Sequence, residues 1–99
     1  MNERVAALDS ALAARADPQR AADMAAYMKG HFRFYGVAAP ERRRVQRDTL
    51  GDWRDPDPDE LVDFARACWA ADERELPYAA CDVLRRHTGR LRAADLLSL

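Results

Sequence analysis

Between positions 61 and 87 the chain carries two apolar stripes with a helical period, separated by a short polar break. Leu61, Phe64, Ala65, Cys68 and Trp69 follow the spacing i, i+3, i+4, i+7, i+8, and Leu76, Ala79, Ala80, Val83, Leu84 and His87 repeat it. A strand would send these side chains to both of its faces, whereas a helix gathers them on one. Two such helices joined by a turn this short bury both stripes by folding back as an antiparallel hairpin. Burying Leu61, Phe64, Trp69, Leu76, Val83 and Leu84 there stabilises the pair by about 1.5–3 kcal/mol per large side chain, before the loss of chain entropy is counted.

The rest of the chain reads the same way. Alanine occurs twenty times, valine five times and threonine twice, with no isoleucine, a balance that favours helix over sheet. A first helix is predicted over 3–15, with Val5, Leu8 and Leu12 on one stripe. Asp17 as N-cap and Pro18 at the first helical position open a second, whose stripe is Ala21, Met24, Ala25 and Met28 and whose C′ stop is Gly30. A third runs from Pro40 to Gly51, and Asp57–Pro58 repeats the cap-then-proline device to open the fourth. The fifth begins either with a capping box of Asp72 and Glu75 or at Pro77, and closes at Gly89. The predicted fold is all-α: one domain over 1–99, with antiparallel helix pairs of HEAT-like type forming the start of an α-solenoid. The last segment, LRAADLLSL, begins a helix and stops on Leu99. Leu96, Leu97 and Leu99 would then lack a covering pair, so the chain is expected to continue in a longer parent or to self-associate through this end.

A net charge of −1 argues against a generic DNA-coating protein. The charges are nevertheless segregated: 52–63 holds Asp52, Asp55, Asp57, Asp59, Glu60 and Asp63 against Arg54, and 85–92 holds Arg85, Arg86, Arg90 and Arg92 with no acid. Cys68 and Cys81 fall on apolar helix faces, which suits buried filler better than a disulfide or a reactive thiol. With His31 and His87 as the only histidines there is no zinc spacing, and neither a metal nor another cofactor is expected. No apolar run suits a membrane span and the N-terminus lacks a signal pattern, so no membrane partner and a cytoplasmic location are expected.

Residues 24–43, MAAYMKGHFRFYGVAAPERR, turn a tight corner between the second and third helices. Tyr27 sits about 80° from the centre of the Met24/Met28 stripe, at the rim of the buried face, where a ring packs and a hydroxyl stays free. Phe32, Phe34 and Tyr35 read as a plug for the helix seam, or as a stacking platform for bases. Arg43 and Arg47 are i and i+4, about 200° from Val45, and so face outward together. Arg85 and Arg86 oppose Val83 and Leu84; Asp82 pairs with Arg86 at i+4 and leaves Arg85 freer. Each of these arginine runs is either a solvated face or a phosphate-binding one.

Met28, Lys29, Phe32, Phe34, Gly36, Pro40, Glu41, Arg42 and Arg43, followed by WAADERELPYAACDVLRR at 69–86, resemble the N-terminal signature of the DNA alkylation repair enzyme family. The resemblance implies a helical-repeat DNA glycosylase that excises N3- and N7-alkylated purines in base excision repair. It implies a tyrosine at the lesion-binding surface in Tyr27, and a concave basic surface lined by the second helix of each pair. The nucleic-acid-binding candidates are therefore Tyr27, Lys29, Arg43, Arg47, Arg85 and Arg86, and the partner is duplex DNA carrying alkylated purines. Ala38 and Ala39 depart from the family's polar residues before the proline, removing an N-cap oxygen and a side-chain phosphate contact. The family's catalytic aspartate and neighbouring tryptophans come after the sixth helix. No residue of this chain is expected to be catalytic, and its role is that of an N-terminal part of such an enzyme. The alternatives are a non-catalytic module for nucleic-acid shape and a protein–protein adaptor built on the same groove.

Overall fold

Helix starts follow the caps written into the sequence. The computed structural model describes residues 2–51 and 53–97, and among these the order is α1 (Glu3–Ala13), α2 (Pro18–Tyr27), α3 (Ala39–Leu50), α4 (Pro58–Trp69), α5 (Glu75–Arg86), a 3-10 turn at Thr88–Arg90, and α6 (Ala93–Leu96). The Asp17 side chain accepts from the Arg20 amide, and Asp57 with Glu60 closes a full capping box at α4. Ala38 at the start of α3 gives no side-chain cap. No described helix is long and apolar enough to cross a membrane.

α1 packs on α3 and α4 on α5, and α1 also touches α4 and α5 while α3 touches α5. Their shared core holds Val5, Leu8 and Leu12 of α1, Val45 of α3, Leu61, Phe64 and Cys68 of α4, and Leu76, Ala79 and Ala80 of α5. The α4–α5 hairpin is the one the two stripes predict, with a change of tryptophan. Trp69, the last residue of α4, is 48% exposed, whereas Trp53 of the connecting segment is buried, its ring edge-on to Phe64 at 5.3 Å. Cys68 is buried, which pushes its thiol up to about 12, but Cys81 is exposed and so is not core filler; both are free thiols.

α2 stands apart, with no buried residue and a stripe that is only half covered. What fixes it is backbone: the Asp17 amide donates to the Tyr35 carbonyl at 3.0 Å, and Gly36 lies directly under its first turn. A Cβ on Gly36, whose φ is +95°, would come within 2.1 Å of the Asp17 carbonyl oxygen and 2.7 Å of the Ala21 nitrogen. At the other end the stop is one residue earlier than expected. The Lys29 amide donates to Ala26 and the Gly30 amide to Ala25, so Lys29, not Gly30, is the C′ residue of a Schellman ending and holds φ +58°.

α5 begins at Glu75, and Glu75 is not part of a capping box. Its side chain, 1% exposed, reaches away from the helix and accepts from the Tyr35, Gly36 and Val37 amides at 3.1, 3.0 and 3.1 Å. These amides have no partner in their own loop, so a distant carboxylate outbids the local cap. Leu97 is 88% exposed. The expectations for Leu99 and for the side chain of Leu96 lie outside the described residues.

Candidate nucleic-acid interface

α3 and α5 are held side by side by a buried ion pair. Arg42, 5% exposed, donates from Nη1 to Asp82 Oδ2 at 2.7 Å and to the Gln46 side-chain oxygen, and Gln46 Nε2 reaches the same carboxylate at 3.4 Å. Arg43 adds a contact to Asp82 at 3.5 Å from the solvent side, and Arg85 one at 3.9 Å. Burial alone would raise the Asp82 carboxyl; the hydrogen bonds and charges of Arg42, with Gln46 and Arg43, outweigh it and hold the group below the ordinary aspartate range. Asp82 is therefore ionised, and its charge is already engaged. This corrects the expected pairing: Asp82 contacts Arg85 and not Arg86, because Arg42 and Arg43 draw its carboxylate towards α3.

Above the brace lies a cleft of about 210 Å³ between α3, α5 and the connecting segment. Arg43, Gln46, Arg47 and Leu50 line it from α3, Asp82, Val83 and Arg86 from α5, with His87 at the α5 C-cap and Trp53 beneath. Arg47 and Arg86 have no carboxylate partner among the described residues. The His87 imidazole is held below its ordinary pKa, first by burial and then by the charges of Arg86 and Arg90, so it is neutral at physiological pH. Arg90 is itself paired with Asp55. The resulting surface is positive, with an apolar floor of Leu50 and Val83 and one carboxylate that is already spoken for.

Three of the six sequence candidates, Arg43, Arg47 and Arg86, meet in this cleft; Arg85, 79% exposed in its side chain, stands outside it. Tyr27 and Lys29 are not brought there either. Tyr27 does not pack its ring at a rim: it is 86% exposed, because α2 presses on its neighbours through backbone and not through its stripe. Lys29 projects from the left-handed residue that ends the same helix. Of the aromatic loop, Tyr35 is buried with its hydroxyl donating to Asp9, and burial with that bond raises its pKa. The Arg74 guanidinium covers Phe32 at 4.3 Å and also faces Tyr78 at 5.5 Å, so this loop is a plug and not an open platform. Sequence reasoning missed Gln46, Asp82, His87 and Trp53. The i, i+4 spacing of Arg42 and Gln46 was the one local signal for the brace.

Among the described residues no three His, Cys, Asp or Glu side chains gather to hold a metal ion. A model of the family described as DNA alkylation repair enzyme matches residues 8–99, a span that includes every residue lining the cleft. The chain belongs to the DNA alkylation repair enzyme family. No curated protein is similar enough to count as a relative.

Proposed function

We propose that this chain forms the N-terminal, DNA-facing part of a HEAT-like-repeat glycosylase that excises N3- and N7-alkylated purines. The observation that carries this reading is the meeting of Arg43, Arg47 and Arg86 on one cleft whose lining carboxylate is neutralised from behind by Arg42. Those arginines position a DNA backbone without reading sequence. Exposed Tyr27, with Lys29 beside it, is the candidate contact on the lesion side. Leaving of an alkylated purine needs little acid help, because the base departs neutral from a cationic nucleotide. The reaction instead needs a carboxylate facing an oxocarbenium-like sugar. Asp82 is a poor candidate for that task with its charge held by Arg42; that no residue of this chain is catalytic rests on the resemblance, which puts the family's catalytic aspartate after the sixth helix.

The test is a pair of measurements on the 99-residue chain. Duplex DNA should bind without sequence preference at about 10⁻⁴ to 10⁻⁶ M, with log affinity falling against log salt at a slope of roughly −3 for three or four neutralised phosphates. An N7-methylguanine duplex should lose base no faster than it does spontaneously. Base release that disappears in Asp82→Asn would make Asp82 the catalytic carboxylate and overturn the division of labour. Binding with the expected slope, together with no base release even from the full-length parent, would favour a non-catalytic module that recognises nucleic-acid shape.

A further inference from the structure

We propose that the α3–α5 cleft seats one DNA phosphodiester against the His87 imidazole, so that His87 takes up a proton from solvent when duplex DNA binds. The proposal rests on the interface reading above and adds a chemical contact to it. A volume of about 210 Å³ falls below the roughly 300–1,000 Å³ of pockets that engulf a whole small molecule, and suits one phosphate with its sugar lying on Leu50. Arg43 and Arg47 approach from α3 and Arg86 from α5, while His87 occupies the C-cap where α5 ends.

The groups facing His87 decide the sign. Arg86 of α5 and Arg90 of the 3-10 turn act on it directly, and Arg43 and Arg47 share its cleft. All are cationic and disfavour a further positive charge. Asp82 is the opposing charge in the lining, and it is committed to Arg42, Gln46 and Arg43; Asp55, outside the lining, is paired with Arg90 and offsets part of that charge. The free cleft therefore keeps a neutral imidazole among cations. A phosphodiester offsets those cations and offers an anionic oxygen to a ring N–H, which favours the imidazolium. By linkage, binding that raises the His87 midpoint must strengthen as pH falls through it, and each pH unit of rise is about a tenfold gain in affinity at the low-pH end.

The experiment is an NMR titration of the two histidines in the intact chain, with and without a saturating unmodified duplex, alongside affinities from pH 5 to 7.5. His31, exposed in the aromatic loop and outside the cleft, reports the general effect of the duplex charge away from the cleft. The His87 midpoint should rise by a unit or more, and by clearly more than that of His31, and binding should tighten about tenfold as pH falls across the range; His87→Gln should flatten that dependence. A duplex that binds without moving His87 overturns this inference alone. A duplex that does not bind at any of these pH values overturns the interface reading as well. Inorganic phosphate, at the phosphate concentration of the duplex, should leave His87 where it was. An equal rise with phosphate alone would make the occupant a free anion and overturn the assignment to DNA.

Discussion

Lys29 holds a left-handed backbone at φ +58° at the end of α2, a conformation that costs a residue with a Cβ about 1–2 kcal/mol and that glycine adopts freely. Lys29→Gly should therefore stabilise the fold by about 1 kcal/mol in denaturant titration, while weakening DNA binding if the lysine meets a phosphate. A stabilised variant with unchanged affinity would remove Lys29 from the interface. Asp82 carries the opposite balance. Asp82→Asn leaves the Arg42 guanidinium buried beside an uncharged amide, and removing one partner of such a pair costs about 3 kcal/mol. The native carboxyl is held below its ordinary pKa, so on acidification the unfolded chain takes up a proton that the folded chain refuses. The contribution is complete above about pH 5 and declines as pH falls through the unfolded and then the folded value; Asp82→Asn should flatten that part of the acid limb. The arginines themselves were legible from position, since Arg43 and Arg47 do face outward together. The partner of Arg42 and Arg43 was not, because Asp82 sits on another helix some forty residues away, where helical spacing within one segment has nothing to say.

At the scale of elements, the parts that could be read were those with local causes. Asp17–Pro18 and Asp57–Pro58 set the starts of α2 and α4, and the alternating gaps of three and four set the α4–α5 seam. The start of α5 and the placing of α2 have distant causes. Glu75 has the spacing of a capping residue but spends its carboxylate on the 35–37 loop, and α2 docks through a glycine whose neighbour across the gap is seen only in three dimensions. Gly36→Ala combines a left-handed φ with backbone atoms that cannot move aside, and should cost about 2–4 kcal/mol. Its damage should be concentrated in α2: amide exchange should rise there first, and a uniform rise across α1, α3, α4 and α5 would mean that α2 is not a separable element.

For the whole molecule, charge segregation outweighs net charge. A chain at −1 still presents Arg43, Arg47 and Arg86 on one cleft, since its acids face other partners: Glu41 pairs with Arg15, Glu60 with Arg4 and Asp55 with Arg90. Reversing Arg43 and Arg86 together to glutamate should make the salt slope shallower by about two, at 0.9 per phosphate contact. Reversing Arg66, on α4 and outside the cleft, should leave the slope in place; equal losses from both would indicate attraction to the overall field and no defined seat. The family and the all-α architecture could be read from the string, whereas the cleft could not, because it exists only once Arg42 has drawn α5 against α3. The Glu75 anchor carries a different consequence, one of time. Solenoid repeats are usually free to open one by one, but here a loop between α2 and α3 is tied by three amides to the first residue of α5. The Tyr35, Gly36 and Val37 amides, though they belong to no helix, should therefore exchange with solvent as slowly as the centre of α4, and should be released only when the whole chain unfolds.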